Sequence, residues 1–247
     1  MDLDGRVALV TGGGTGLGRA TSLALAGAGA SVAVNYSRSR PEAERVARQI
    51  RDRGGTALAV RADITDDSAV SSMVESVEEE LGPVSILVNN AGTTRYVPFP
   101  DLGAVTAEEW RRIMDVNVTG AFLCSRAVAP GMQSRGAGKI INVASNSAFT
   151  SAGSSIPYVV SKAALVSLTR CLARALAPTV QVNAVAPGWM LTEWIDRHVP
   201  PDRARELRSG AVPVIPVEDV VRSLTGLLAN DSITGEVAVV DRGEMLG

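Results

Sequence analysis

The chain has 247 residues, of which 46% are hydrophobic and 20% charged, and its formal net charge is −2. This length and composition suit a single α/β domain with a core of ordinary size. The near-neutral charge excludes an electrostatic nucleic-acid binder and a polybasic membrane anchor. No targeting segment precedes the first strand pattern, and no apolar run approaches the length of a membrane span. We therefore expect a cytoplasmic protein that binds neither nucleic acid nor a membrane.

Short β-branched segments alternate along the chain with longer amphipathic segments. The pattern predicts strands at Arg6–Val10, Ser31–Tyr36, Thr56–Arg61, Ser85–Asn89, Lys139–Ala144, Val180–Val185 and Glu236–Asp241. It predicts helices at Gly16–Ala28, Pro41–Arg53, Asp66–Leu81, Thr106–Met132, Ile156–Leu176 and Val217–Ala229. The strands are almost continuously apolar, which is typical of parallel strands buried on both faces. The alternation predicts one domain, residues 1–247, whose parallel sheet is covered by helices on both faces.

The rhythm of strands and helices breaks at one place, after the sixth predicted strand. Residues 187–217, hereafter the lid, form a long segment that the pattern predicts to be irregular or only partly helical. The lid starts at the carboxyl end of a strand, where open α/β sheets bind their ligands. We therefore expect it to cover a substrate site.

The two cysteines, Cys124 and Cys171, lack the spacing of a metal site or of a redox motif. A free cysteine usually behaves as a small buried hydrophobic residue. We expect both thiols to be reduced and buried, and we expect no bound metal.

A glycine-rich segment follows the first predicted strand and opens the first helix, in the order Thr11-Gly12-Gly13-Gly14-Thr15-Gly16-Leu17-Gly18. Glycines permit a tight turn and a close approach of the backbone to a pyrophosphate. The helix then presents its N-terminal amides and the positive end of its dipole to that anion. The segment predicts a dinucleotide site, although a turn that only packs the helix on the strand has the same composition.

The end of the second predicted strand, about 20 residues further on, indicates which dinucleotide binds. It reads Asn35-Tyr36-Ser37-Arg38 and contains no acidic residue, which would bond the ribose hydroxyls and repel a phosphate. Small hydroxyls and Arg38 favour a 2′-phosphate, so NADP(H) is the expected cofactor and NAD(H) the alternative. The other interpretation of Arg38 and Arg40 is a pair of solvated loop charges.

Two further polar positions follow predicted strands. Asp63, after the third strand, is placed to meet the adenine of a dinucleotide. Asn89, in the segment Asn89-Asn90-Ala91-Gly92 after the fourth strand, either holds the backbone near the cofactor or is a buried structural asparagine.

Tyr158 and Lys162 are four residues apart at the start of a predicted helix and share one face. An ammonium group beside a tyrosine favours the phenolate and lowers its pKa, so this pair suits the proton transfer that accompanies hydride transfer. The pair alone is weak evidence, because most such pairs lie on solvated helix faces. Ser145, at the end of the fifth strand, is placed to hold a substrate carbonyl oxygen. Asn117 is a polar amide inside an apolar helix pattern, as a proton relay would need.

Together these motifs resemble the short-chain dehydrogenase/reductase family, and most of all its 3-oxoacyl-[acyl-carrier-protein] reductase type. The resemblance covers essentially the whole chain. It rests on motifs in the family's order and spacing, namely Thr11-Gly12-x-x-x-Gly16-x-Gly18, Asn89-Asn90-Ala91-Gly92, Asn117, Ser145, Tyr158-x-x-x-Lys162 and Pro187-Gly188-x-x-x-Thr192. The family implies a single-domain Rossmann fold with a doubly wound, seven-stranded parallel sheet. It also implies a common homotetramer paired through the helices Thr106–Met132 and Ile156–Leu176.

The resemblance gives each matching residue a role. Tyr158 is the acid/base, Lys162 also binds the nicotinamide ribose, and Ser145 orients the substrate oxygen. Asn117 holds a relay water, and Thr192 contacts the nicotinamide carboxamide. The implied cofactor contacts are Thr11, Gly12, Gly14, Thr15, Gly16, Leu17, Asn35, Tyr36, Ser37, Arg38, Asp63, Ile64, Asn90, Ala91, Gly92, Tyr158, Lys162, Pro187, Gly188 and Thr192. Many NADP-preferring members carry a basic residue at the position of Thr15, which leaves NAD(H) open.

The lid indicates the kind of substrate. Its apolar residues are Trp189, Met190, Leu191, Trp194, Ile195, Val199, Val212, Val214 and Ile215. They suit an acyl, alicyclic or other lipophilic ketone, or they pack the lid and a subunit contact. His198, the only histidine, is expected in the lid or at the surface. Arg135, Lys139 and Arg174 either dock an acidic carrier protein or are scattered surface cations.

The predicted function is hydride transfer between NADP(H) and a ketone or secondary alcohol, and a carrier-protein or CoA 3-oxoacyl thioester is one such substrate. An NAD-dependent secondary-alcohol dehydrogenase of the same fold is the first alternative. A non-catalytic dinucleotide-sensing regulator is the second, and the presence of all four catalytic-type residues disfavours it.

Overall fold

Seven parallel strands form one sheet in the computed structural model, which describes residues 2–246. The strands are β1 (Val7–Val10), β2 (Ser31–Tyr36), β3 (Ala57–Arg61), β4 (Val84–Asn89), β5 (Gly138–Val143), β6 (Val180–Pro187) and β7 (Val237–Val240). Their order is β3-β2-β1-β4-β5-β6-β7, and all neighbouring strands are parallel. The winding direction reverses between β1 and β4, so the predicted doubly wound sheet is confirmed.

Helices connect successive strands and cover both faces of the sheet. They are α1 (Gly16–Gly27), α2 (Arg40–Asp52), α3 (Asp67–Leu81), α4 (Ala107–Met114), α5 (Gly120–Ser134), α6 (Ser147–Thr150), α7 (Ile156–Leu176), α8 (Glu193–His198), α9 (Pro201–Ser209) and α10 (Val217–Leu228). Local capping explains several of their starts. The Asp66 carboxylate accepts from the first free amides of α3, and Thr106 and Glu109 form a capping box at α4.

The strands place alternate side chains in two apolar layers. In β1, Ala8 and Val10 pack on one face with α1, α2 and α10, whereas Val7 and Leu9 pack on the other with α3, α5 and α7. Each large apolar side chain buried in this way stabilises the fold by roughly 1.5–3 kcal/mol. The strands are apolar at nearly every position because both of their faces are buried. Polar side chains that could bind a ligand are therefore expected at the ends of the strands.

The predicted helix Thr106–Met132 differs most from the structure. It is divided into α4, one π-helical turn at Asp115–Thr119, and α5. A π-turn adds one residue to a helix without ending its apolar pattern, so periodicity does not reveal it. The lid is also more regular than predicted, because it contains the two short helices α8 and α9.

Helix α7 is long and apolar enough to cross a membrane by length and composition alone. This corrects the expectation that no segment of the chain approaches a membrane span. The core helix of a folded domain passes the same test, and α7 is such a helix. It packs along β6 and buries Leu165, Val166 and Ala173.

The two cysteines have different surroundings. Cys124 is fully buried in α5, where burial raises the pKa of its thiol to about 12. Cys171 lies on α7 and is exposed. The expectation of a buried thiol is therefore wrong for Cys171, because it falls on the part of α7 that faces away from the sheet.

Candidate active site

A cavity of about 810 Å³ runs along the carboxyl ends of the strands. Most of the predicted site residues line it, namely Gly12, Thr15, Gly16, Leu17, Asn35, Tyr36, Ser37, Arg38, Asp63, Ile64, Asn90, Ala91, Gly92, Ser145, Tyr158, Lys162, Pro187, Gly188 and Thr192. They come from loops that follow six different strands, and the parallel sheet brings these strand ends to one edge. Thr11, Gly14 and Asn117 are outside the lining.

Two of these outside residues support the glycine turn from behind. The Thr11 hydroxyl is fully buried and accepts hydrogen bonds from the amides of Asn90 and Ala91, each at 3.0 Å. Gly14 faces α2, since an added Cβ would lie 2.7 Å from the nitrogen of Ala43. Gly14 is therefore needed for helix packing, and its predicted cofactor contact stays a prediction.

The glycine turn has the steric properties expected of it. Gly12 and Gly16 have positive φ angles of 60° and 51°, which favour glycine. At Gly18, an added Cβ would overlap the carbonyl oxygen of Gly12, so the start of α1 approaches the turn closely. Asn90 closes the turn, because its Nδ2 donates to the oxygens of Thr11 at 2.9 Å and Gly12 at 3.1 Å.

Asn89 is a structural residue, as one of the two predicted alternatives states. Its Nδ2 donates to the Ala121 carbonyl, the Ser125 hydroxyl and the Asn142 side chain, at 2.9–3.2 Å. It therefore joins β4 to β5 and α5. The neighbouring Asn90 holds the turn near the predicted cofactor.

The first amide of α1 already has an anionic partner. The Gly16 amide donates a hydrogen bond to the Glu193 carboxylate, at 3.0 Å, and Glu193 belongs to the lid. A helix N-terminus that attracts a carboxylate has the electrostatics that a pyrophosphate needs. The residues of the turn therefore fit a dinucleotide.

The predicted catalytic residues meet at the start of α7. Tyr158 lies in the first turn of this helix and Lys162 one turn later. Lys162 Nζ donates to the Val143 carbonyl at 2.8 Å and lies 5.7 Å from the centroid of the Tyr158 ring. Ser145 follows β5, and its hydroxyl accepts from the Ser147 amide at 3.2 Å. Three of the four predicted catalytic side chains thus line one wall of the cavity.

Burial controls the protonation of this pair. It raises the pKa of Tyr158 to about 12, and a hydrogen bond with Ser145 opposes the rise. It lowers the pKa of Lys162 to about 8. The prediction that Lys162 lowers the pKa of Tyr158 is wrong for the protein alone, because desolvation of the phenol dominates. Lys162 is bonded to a backbone carbonyl instead.

Asn117 is buried in the π-turn and joins two parts of the site. Its Oδ1 accepts from the Thr93 amide at 2.8 Å, and its Nδ2 donates to the Thr93 carbonyl at 3.0 Å. Nδ2 also donates to the Ser161 hydroxyl at 2.9 Å, one residue before Lys162. Its side chain therefore fixes the loop after β4 against α7. The role of Asn117 in a proton relay stays a prediction.

The lid forms part of the cavity wall. Of its predicted apolar residues, five line the cavity, namely Trp189, Met190, Trp194, Ile195 and Val199. Leu191 is exposed, Val212 and Val214 pack inside the lid, and Ile215 joins the core below it. These four therefore have the packing or surface roles of the alternative interpretation.

The aromatic residues of the lid reach the catalytic tyrosine. The ring centroids of Trp194 and Tyr158 are 6.2 Å apart, and those of Trp194 and His198 are 4.3 Å apart. His198 is in the lid as predicted, but it lines the cavity and is only partly exposed.

Several residues of the cavity were missed by sequence reasoning. Arg112 comes from α4, Arg197 from α8, and Glu244 from the C-terminal segment, where it accepts from Asn146 Nδ2 at 3.0 Å. They belong to no local motif and meet only in the folded chain. The local sequence before Glu244, Asp241-Arg242-Gly243, indicates a turn and not a site.

The three cations considered for carrier-protein docking lie at the opposite end of the sheet. Arg135 donates to the Val84 carbonyl at the start of β4, and Lys139, near the start of β5, pairs with Asp231 at 2.6 Å. Arg174 is in the last turn of α7, which leads to the start of β6. These three residues therefore do not line the cavity, and their role in docking an acidic carrier protein stays a prediction.

Comparisons with known proteins agree with this arrangement. Residues 6–201 match the family model described as short chain dehydrogenase. A protein assigned as ketoacyl reductase 2 of the granaticin polyketide synthase of Streptomyces violaceoruber is 39% identical over 249 residues, covering 97% of this chain and 96% of that protein. The 3-oxoacyl-[acyl-carrier-protein] reductase of Synechocystis sp. is 38% identical over 192 residues, covering 77% and 76%. The solved gluconate 5-dehydrogenase of Burkholderia cenocepacia, in complex with NADP and tartrate, has a TM-score of 0.89 at 32% identity and covers 100% and 97%.

Proposed function

Since the chain belongs to the short-chain dehydrogenase family, we propose that it transfers a hydride between NADP(H) and a ketone or secondary alcohol, 3-oxoacyl thioesters included. The observation that carries the proposal is the position of Ser145, Tyr158 and Lys162 on one wall of the cavity that the glycine turn also lines. An NAD(P)-dependent oxidoreductase needs a dinucleotide site and a proton donor in such a common space.

The nicotinamide would supply or accept the hydride, and the chain's own residues handle the oxygen and the proton. Ser145 is placed to bond the substrate oxygen beside Tyr158. The raised pKa of Tyr158 keeps its hydroxyl protonated at neutral pH, so it can donate a proton to a carbonyl oxygen during reduction. Lys162 places a positive charge near the phenolate that this donation leaves.

The proposed preference for NADP(H) is supported by the end of β2. Ser37 and Arg38 line the cavity, and no carboxylate among residues 2–246 forms an ion pair with Arg38. The side chain of Asn35 is already engaged within the protein, because its Oδ1 accepts a hydrogen bond from the Gly12 amide and its Nδ2 donates one to the Ala62 carbonyl. Arg38 is therefore the group at this position that can bind a 2′-phosphate.

Steady-state rates with NADPH and NADH test this preference. Arg38→Gln is expected to lower kcat/KM for NADPH about tenfold, because one charge-assisted hydrogen bond contributes about 1.5–3 kcal/mol. Its value for NADH should stay unchanged. Arg40→Gln is the matched control, because Arg40 pairs with Glu44 and is outside the cavity lining. Much faster turnover of the wild type with NADH would show that the preference is for NAD.

The chemical role of Tyr158 has its own test. Tyr158→Phe removes only the hydroxyl, and we expect ketone reduction to fall by a factor of about 10² or more, as for loss of a general acid. NADPH affinity should be retained, which isothermal titration calorimetry measures. Undiminished turnover in this variant would refute the mechanism.

We also propose a homotetramer. The exposed large apolar residues include Trp110 on α4, Phe122 on α5 and Val160 on α7, which are the helices that the family resemblance assigns to subunit pairing. Exposed apolar faces of this kind usually mark subunit contacts. Light scattering after gel filtration gives the mass, and Phe122→Lys is expected to reduce it.

A further inference from the structure

Two arginines at the substrate end of the cavity have no counter-ion. Arg112 lies on α4 and Arg197 on α8, and both line the cavity. Among residues 2–246, no carboxylate forms an ion pair with either guanidinium group. By contrast, Arg203, which lines the same end, is paired with Glu206 at 2.6 Å. The positive charge of Arg112 and Arg197 therefore stays uncompensated.

Three of the four acids on the same two helices are engaged elsewhere, and the fourth, Glu108, is exposed and forms no ion pair with Arg112. Glu109 of α4 pairs with Arg95, and Asp196 of α8 pairs with Arg208. Glu193 accepts from the Gly16 amide at the other end of the cavity. None of these four carboxylates lines the cavity.

His198 connects the two arginines to the reacting groups. Its ring packs on Trp194 at 4.3 Å, and Trp194 is 6.2 Å from the Tyr158 ring, so two ring contacts join His198 to the catalytic tyrosine. Burial lowers the pKa of His198, a hydrogen bond with the Thr94 backbone opposes this shift, and the charges of Arg197 and Arg112 lower the pKa further. Both guanidinium groups therefore lie close enough to His198 to act on it electrostatically, so the two positive charges face the same part of the cavity.

The carboxylate that lines the substrate end lies apart from this point. Glu244 is held by Asn146 at 3.0 Å and packs over Gly188, at the base of the lid. The substrate end of the cavity is thus positively charged towards α4 and α8, whereas the carboxylate of Glu244 lies at the base of the lid.

We propose that Arg112 and Arg197, which lie near His198, form a cationic rim that binds an anionic group of the substrate. The substrate is then a ketone or secondary alcohol that carries a carboxylate or phosphate at the end away from the reacting carbon. Guanidinium groups bind both anions through paired hydrogen bonds. This inference rests on the proposed function, because it places the reacting carbon at Tyr158.

Matched pairs of ketones that differ only in charge provide the test. One series is levulinate and its longer homologues, which are methyl ketones with a carboxylate at the other end of the chain, each compared with its primary amide. The other pair is dihydroxyacetone phosphate and dihydroxyacetone. Binding to the NADP-loaded protein is measured by calorimetry, and turnover is followed by NADPH absorbance. We expect one anion to bind at least tenfold more tightly than its neutral partner, which is about 1.4 kcal/mol. The preferred pair identifies carboxylate or phosphate.

The variant for the rim is Arg112→Gln combined with Arg197→Gln. It should reduce the anion-to-neutral ratio of Kd and of kcat/KM to about one. The corresponding double Lys variant should keep much of the preference, because the charge remains. Arg111→Gln is the control, since Arg111 is the exposed neighbour of Arg112 on α4 and is outside the cavity lining.

The outcomes separate the two proposals. Turnover of neutral ketones without preference for any anion overturns the rim and leaves the proposed function intact. A preference that survives the double Gln variant overturns the rim as well. Arginine-dependent anion binding without turnover of any ketone supports the rim and overturns the proposed function. Arginine-dependent binding with turnover supports both.

Discussion

Replacing Glu193 with Gln should make the protein bind NADPH more tightly. The Glu193 carboxylate accepts a hydrogen bond from the Gly16 amide, which is the first amide of α1 and the place where the cofactor pyrophosphate would bind. A phosphate must therefore displace this carboxylate or tolerate its charge. In the Glu193→Gln variant, the side-chain amide oxygen would still accept from Gly16 but carries no charge, so the lid can keep its position until the cofactor arrives.

The size of the effect follows from the exposure of Glu193. Two unit charges 4 Å apart repel by about 1 kcal/mol in water and about 4 kcal/mol at an effective dielectric constant of 20. Glu193 is exposed, so its carboxylate can move into water, and the smaller figure applies. A gain of about 1 kcal/mol corresponds to a Kd for NADPH that is roughly fivefold lower. The gain should shrink as salt is added, because exposed charges are screened.

Calorimetric titration of the wild type and Glu193→Gln with NADPH, at low and at physiological ionic strength, measures this effect. Asp196→Asn is the matched control, because Asp196 lies on the same helix, is exposed, and pairs with Arg208 instead of the glycine turn. An unchanged or higher Kd in Glu193→Gln would refute the reasoning. An equal gain in Asp196→Asn would show that only the net charge matters.

Three further changes have expected outcomes. Lys162 has a pKa of about 8 in the folded chain and an ordinary value of 10.5, so the unfolded state binds more protons between these pH values. Between pH 8 and 10.5, the unfolding free energy of the wild type should therefore rise by up to about 3 kcal/mol relative to that of Lys162→Met. Urea titrations at several pH values measure both free energies. A difference between the two proteins that does not change with pH contradicts the pKa shift. Gly18→Ala should destabilise the fold by about 1–3 kcal/mol, because the added Cβ would overlap the carbonyl oxygen of Gly12. Gly27→Ala is the control, since an added Cβ there meets open space, and it should be neutral or stabilising in the same titrations. In the native protein a thiol reagent should label no cysteine other than Cys171, and it should label Cys124 only after unfolding; rapid labelling of two thiols in the native protein would disagree with the burial of Cys124.

Much of the fold could be predicted because local pattern and tertiary packing agree. The predicted bounds Ser31–Tyr36 and Ile156–Leu176 equal those of β2 and α7. Both segments have a buried apolar face along their whole length, so burial decides where they begin and end. The break at Asp115–Thr119 could not be predicted, since a π-turn keeps the apolar residues on the same side.

The candidate site was predictable where it depends on strand ends. Ser145 and Asn90 follow strands, and parallel topology brings such residues together wherever they occur in the sequence. Arg112 and Arg197 could not be found in this way. They are exposed helix residues with ordinary neighbours, and only the packing of the lid over α4 and α7 brings them to one cavity. The sequence predicted a lowered pKa for Tyr158, whereas burial raises it. The extent of this burial depends on the whole fold and is not visible in a local motif.

Three consecutive lid residues connect the two halves of the cavity. Thr192 and Glu193 meet the glycine turn at Gly16, whereas Trp194 faces Tyr158. One short helix carries these contacts, so we expect a phosphate group bound at Gly16 to influence the aromatic wall against which the proposed ketone would bind. The two reactants therefore do not bind independently. Initial-rate kinetics should show a compulsory order in which NADPH binds first, with product inhibition by NADP that is competitive against NADPH alone.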